Sequence, residues 1–141
     1  MITVEHVAAY PAAPEAVFAV LADLERHPDW QADVLSAHVD GPVRQDATVT
    51  QVRKVMGKRA EITLTVAELV PGERLVLRTA PGTRPGVTQR YTVTADGPGS
   101  RVEFRLELDG VPKLAEHLVR AQLGKQVPLL FDRLGALVAA R

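Results

Sequence analysis

The chain has no cysteine, which removes disulfides, thiol nucleophiles and every cysteine-ligated metal site. Aromatic residues are only 4% of it, with a single tryptophan, so any core must be filled largely by Val, Leu, Ile and Ala. Charge of neither sign dominates: 17 Lys and Arg stand against 17 Asp and Glu. That balance argues against a nucleic-acid binder relying on a general basic field, and against a polybasic membrane anchor. No apolar run approaches the ~20 residues needed to cross a bilayer. The start, Met1-Ile2-Thr3-Val4-Glu5, has no basic region followed by an apolar stretch, so no signal peptide is expected. A soluble cytoplasmic protein without integral membrane association is the expectation. There is no Gly-rich phosphate loop, no HExxH and no GxSxG. The four histidines, His6, His27, His38 and His117, stand singly, so neither a metal site nor a cofactor is expected.

What is present fits one domain over residues 1–141, long enough to bury its own core. Ile2 to Tyr10 alternates as a strand and Pro11 ends it. Pro14 sits at a plausible first helical position, with Val17, Phe18, Leu21 and Leu24 as an apolar stripe. No Ser, Thr, Asp or Asn is placed to cap that helix, so packing must hold it. Pro28 stops it, and Asp29-Trp30 forms a turn. From Asp33 the pattern is β: strands at Val34 to Asp40, Ala47 to Met56, Arg59 to Val70, around Leu75 and Leu77, Val87 to Ala95 and Arg101 to Asp109. Pro71-Gly72 and Gly97-Pro98-Gly99 mark turns between them. The last strand is the cleanest, with Val102, Phe104, Leu106 and Leu108 on one face and charges on the other. Its neighbour in sequence should pair with it antiparallel, Tyr91 and Phe104 both facing the terminal helix.

The stretch from Val111 to Arg141 is the only major helical run, and it carries two apolar stripes. Val111, Leu114, Ala115, Leu118 and Ala121 share one face, while Leu123, Val127, Leu130, Phe131, Leu134 and Val138 share another, roughly 150° away. One straight helix cannot bury both against a single sheet, and Gly124 and Pro128 lie between them. The expectation is a helical lid, a break near residues 124–128, and a terminal helix on the sheet.

Strand, helix, six strands with short turns and a long helical region make an α+β chain with an antiparallel meander. In order and motifs it resembles the START-like, or Bet v 1-like (SRPBCC), helix-grip superfamily, within it the bacterial polyketide cyclase/dehydrase and lipid-transport group. The residues carrying the resemblance are Ala13-Pro14-Glu15-Ala16-Val17-Phe18, Pro28-Asp29-Trp30, Val66-Ala67-Glu68-Leu69-Val70-Pro71-Gly72-Glu73-Arg74-Leu75 and Leu130-Phe131-Asp132-Arg133-Leu134. The resemblance implies a curved seven-stranded sheet wrapped around the C-terminal helix, two short helices after the first strand, and an internal cavity for an apolar ligand.

Candidate site residues follow from which positions face inward. Trp30 either plugs the core end or forms cavity wall. Gln89 and Tyr91 share the face of Val87 and Val93, and a buried glutamine needs a partner. If Gly57-Lys58 is a two-residue turn, Val55 opposes Ala60, Arg53 opposes Ile62 and Gln51 opposes Leu64, which turns Gln51 and Arg53 inward. A one-residue slip would put Val52 and Met56 there instead. Leu64, Leu77, Phe104 and Leu118 complete the expected ligand-binding set with Trp30, Gln51, Arg53, Gln89 and Tyr91. Arg53, Gln89, Tyr91 and the lid residue His117 are the candidates for any catalysis, and none forms an acid–base pair. The expected function is to bind a hydrophobic small molecule, such as a polyketide, lipid or quinone, between sheet and helix. The alternatives are a polyketide cyclase/dehydratase using the same cavity, and a protein-interaction module with a residual one. A monomer or homodimer is expected. The opening should lie where Met56 to Arg59, Ala80 to Gly86 and Val111 to Leu114 meet.

Overall fold

The computed structural model describes residues 1–55 and 57–140. Met56, the expected last residue of a strand and part of the expected opening, and Arg141, the end of the terminal run, lie outside the described residues. The strands are β1 (Ile2–Tyr10), β2 (Val34–Val39), β3 (Thr48–Val55), β4 (Lys58–Val70), β5 (Arg74–Thr79), β6 (Gly86–Asp96) and β7 (Gly99–Asp109). Helix α1 (Pro14–Ala22) and a 3-10 helix (Leu24–Asp29) follow β1, and α2 (Lys113–Ala139) ends the chain. All strands form one antiparallel sheet in the order β1-β7-β6-β5-β4-β3-β2. The tight turns run β2 through β7 as a meander, and β1 closes against the last strand.

Alternation puts one row of apolar side chains from each strand on the face that α2 covers. Val49, Leu64, Val66, Leu75, Leu77, Val93 and Val102 are buried there together with α1 residues Val17, Phe18 and Leu21. From α2, Val127, Phe131, Leu134 and Val138 enter the same core. Tyr91 and Phe104, opposite each other in the β6–β7 ladder, both face Phe131, with ring centres 6.5 and 5.2 Å away. Helix α1 has no side-chain cap, so its buried face holds it in place, as its composition requires. Tyr10 pins α2 to the sheet: its hydroxyl donates to the Phe131 carbonyl at 2.8 Å. Gly135, one turn on, lets the ring lie where a side chain would collide, since a Cβ there would meet Tyr10 Cε1 at 2.9 Å.

Helix α2 is not broken. It is continuous for 27 residues, about 40 Å at 1.5 Å per residue, contrary to the two-stripe expectation. The physical reason is that the first stripe never reaches the sheet. Leu114 is fully exposed and Leu118 is 53% exposed, so no bend is needed to bury them. Pro128 deprives one carbonyl, that of Gly124, of its helical donor; Gly124, Lys125 and Gln126 are exposed, so water can replace that bond.

The β3–β4 turn also differs from expectation. Val55 pairs with Lys58, Arg53 with Ala60 and Gln51 with Ile62, two residues from the register a Gly57-Lys58 turn would give. Lys58 belongs to the strand, and Gly57 supplies the left-handed backbone, φ 81°. A shift of two keeps every side chain on its own face, so Gln51 and Arg53 still point inward.

Candidate functional site

The polar centre of the molecule is built where the 3-10 helix gives way to β2. Pro28 lies within that helix, which ends at Asp29 with Trp30 as its C-cap, and Gln31 and Asp33 follow toward β3. Arg53 reaches them from the concave face. Its Nε donates to Gln51 Oε1 at 2.9 Å, one Nη to Asp33 Oδ2 at 2.9 Å, and the other to Gln31 Oε1 at 3.2 Å. With its side chain only 17% exposed, Arg53 is a cation whose charge Asp33 neutralises at close range, the condition under which a half-buried guanidinium is tolerated.

The chain of bonds continues inward. Because Gln31 gives its oxygen to Arg53, its amide nitrogen is left to donate, and it meets His27 Nδ1 at 3.2 Å. His27 Nε2 lies 2.8 Å from the Leu21 carbonyl, which can only accept. His27 is therefore the neutral Nε2–H tautomer. Complete burial drives its pKa down to about 4, with the Arg53 charge adding to the effect and the bond to Leu21 opposing it. Tyr91 is buried as well; its hydroxyl donates to Gln89 Oε1 at 3.4 Å, and burial pushes its pKa up to about 12. Neither group is tuned for proton transfer near neutrality. Two donors in this region find no protein partner among the described residues, the indole N–H of Trp30 and the side-chain amide of Gln51.

An internal cavity of about 40 Å³ lies against this network. Trp30, Gln31, Asp33, Arg53, Gln89 and Tyr91 line it with Phe104 and Leu106, and the α2 residues Leu123, Gln126, Val127, Leu130 and Phe131 close it. That space holds a water or two, whereas ligand pockets run to about 300–1,000 Å³. Immediately outside is an open groove of about 390 Å³ between Ala32, Asp33, Lys54 and Gly57 on one side and Gln122, Gln126, Leu129, Leu130 and Arg133 on the other. Asp33, Gln126 and Leu130 belong to both spaces, so three side chains separate the groove from the cavity. The groove borders the β3–β4 turn at Gly57 but neither Ala80 to Gly86 nor Val111 to Leu114, so of the three segments expected at the opening only the first is beside it. A further hollow of about 250 Å³ on the other side of Trp30 is bordered by Val20, Asp23, Arg26, Asp29, Leu137 and Ala140, away from Arg53.

Of the residues singled out from sequence, Trp30, Arg53, Gln89, Tyr91 and Phe104 meet at the cavity. Gln51 is buried behind Arg53 as its partner. Leu64 and Leu77 are buried in the core without bordering the void. Leu118 and His117 are not part of it: both are exposed on the first half of α2. Sequence reasoning missed His27, Gln31 and Asp33, which flank the sole tryptophan; three polar residues around a turn read as solvated. It also missed that Leu123, Gln126 and Leu130 would form the cover.

The match to known families decides what this architecture is. The family model described as polyketide cyclase / dehydrase and lipid transport matches residues 1–139. The chain belongs to that family. Among curated proteins no sequence is a significant match. Solved structures share the fold of this polyketide cyclase/dehydrase and lipid-transport domain at low identity. A START superfamily protein from Mycobacterium smegmatis has TM-score 0.83 and 14% identity, covering 98% of this chain and 97% of that one. The protein TTHA0849 from Thermus thermophilus has TM-score 0.84 and 22% identity, covering 99% and 98%. The di-domain ARO/CYC StfQ from the steffimycin biosynthetic pathway has TM-score 0.78 and 14% identity, covering 99% of this chain and 51% of StfQ. No helix among the described residues is long and apolar enough to cross a membrane, and no group of three or more metal-ligating side chains occurs among them.

Proposed function

We propose that this family member binds a hydrophobic small molecule between the sheet and α2, with an oxygen acceptor of the ligand at Arg53. The observation that carries the reading is the shared wall of the inner cavity and the outer groove. Displacing Leu130 and Gln126 merges the two into one apolar compartment with a polar end, the form that small-ligand sites take. At that end Trp30 and Gln51 contribute unpaired donors, and the Arg53–Asp33 pair leaves no net charge. A neutral molecule bearing a carbonyl or ether oxygen, such as a polyketide, a quinone or a lipid ester, matches that excess of donors. Gln89 and Tyr91 would flank it.

Binding is favoured over a cyclase/dehydratase by the state of the titratable groups. His27 is held neutral behind Gln31, Tyr91 keeps its proton well above neutral pH, and Asp33 is committed to Arg53. The test is a titration of Trp30 fluorescence with neutral quinones and long-chain esters. Saturable quenching that weakens at least tenfold in Leu130→Phe, which plugs the shared wall without adding a fluorophore that competes with Trp30, is expected. Absence of any saturable response, or a response unchanged by Leu130→Phe, would contradict it.

A further inference from the structure

The chain carries no net charge, yet its charges are unevenly spread between the two ends of the sheet. The turns beyond β2, β4 and β6, together with α1, bear Glu15, Asp40, Asp46, Glu73 and Asp96, all exposed, against Arg44, while Arg74 and Arg101 beside them are paired with Glu68 and Glu103. The other end of the sheet, which carries the β3–β4 turn, the β5–β6 loop and the start of α2, bears Lys54, Lys58, Arg59, Arg84 and Lys113, also exposed. Two of its acids are already engaged: Glu116 lies 3.5 Å from the Met1 ammonium and Glu107 3.8 Å from Arg105. Glu61 and Asp109 remain. Lys54 and Arg59 stand directly opposite each other in the β3–β4 ladder, a like-charge pair that destabilises a hairpin. Among the described residues no carboxylate lies within salt-bridge distance of either.

The same end holds the protein's most exposed leucine. Leu114 and Leu118, one turn apart on α2, project away from the sheet with Met1 and Val55 also exposed nearby in the topology. The groove that leads to the cavity opens beside this end, at Lys54 and Gly57. Exposed apolar side chains set among cations are the chemistry by which a surface helix rests in the headgroup region of an anionic membrane.

We propose that this end of the molecule docks on anionic lipid bilayers, Leu114 and Leu118 entering the headgroup boundary and the basic residues facing lipid phosphates. Docking would present the groove to the bilayer, so that an apolar ligand passes between membrane and protein without crossing water. With two leucines and no aromatic side chain in it, the contact is weak and reversible.

Flotation of the full chain with vesicles of phosphatidylcholine and phosphatidylglycerol in a three-to-one ratio tests this. The protein should float with them at low salt, remain behind with pure phosphatidylcholine, and be released by high salt. Leu114→Ser/Leu118→Ser and Lys58→Glu/Lys113→Glu should each lower partitioning at least tenfold with the melting temperature unchanged, while Arg44→Glu at the acidic end should have no effect. No flotation with anionic vesicles, or flotation indifferent to the double serine variant, would overturn the proposal. So would a solution dimer that the serine variant dissociates and that ignores vesicles, because the face would then be a self-interface. The Trp30 titration, run without vesicles, should be the same in all these variants, which separates this proposal from the ligand site.

Discussion

The two halves of α2 obey the same backbone rules and do opposite things. From Val127 to Val138 one residue in every three or four is buried against the sheet, and Tyr10 ties the backbone down at Phe131. From Lys113 to Gln126 no residue is buried, and the apolar stripe faces outward. The lesson is that helical continuity does not report continuous packing. The second half is held by the core, while the first half is held mainly by being joined to it, and the cavity lies where one regime passes into the other.

The largest effects should separate the halves most sharply. Leu134, wholly buried, should cost about 2–5 kcal/mol as Leu134→Ala, whereas Leu118→Ala should stay within about 0.5 kcal/mol. Equilibrium denaturant unfolding measures both, and equal losses would abolish the distinction. The sealed side should also carry a pH signature. His27 titrates at about 4 in the folded chain against an ordinary 6.5, so the unfolded chain binds its proton first on acidification. Stability should be whole above pH 6.5 and fall by about 3 kcal/mol as the pH drops to about 4. His27→Gln should flatten that limb, and a wild-type profile flat over this range would show that His27 is not sealed. Smaller effects come from the two glycines of the helix. Gly135→Ala should lose about 1–3 kcal/mol, because its methyl group meets a tyrosine ring fixed by a hydrogen bond. Gly124→Ala, with nothing within 4 Å of its added carbon, should gain about 0.5–1 kcal/mol. Thermal melts that give both changes the same sign would contradict the packing described for the two halves.

The contrast between the halves was half legible in the sequence. The stripe of Val127, Phe131, Leu134 and Val138 is a burial pattern, and it is buried. The stripe of Leu114 and Leu118 has the same form on paper, because periodicity records which residues share a face and not whether anything covers that face. The strands and their facing were readable since alternation and turn residues act locally. Even a wrong turn at Gly57-Lys58 left Gln51 and Arg53 correctly inward, because the error was an even number of residues. The network of His27, Gln31 and Asp33 was not readable. Its members lie around a single turn and acquire meaning only when β3, further along the chain, brings Arg53 among them. Cavity size was equally out of reach, as the few aromatics suggested an emptier interior than the one Phe104, Phe131, Tyr91 and Trp30 fill together.

Helix α2 is anchored in its second half and held more loosely in its first, and the proposed ligand would displace the cover at Gln126 and Leu130. Amide hydrogen exchange followed by mass spectrometry, on the free protein and on protein saturated with the best quencher of Trp30, tests this most directly. In the free protein peptides from Lys113 to Gln126 should exchange orders of magnitude faster than those from Phe131 to Ala139, and bound ligand should slow exchange from Leu123 to Leu130 while leaving the anchored second set unchanged. Uniform protection along the free helix, or ligand protection that spares Leu123 to Leu130, would contradict it.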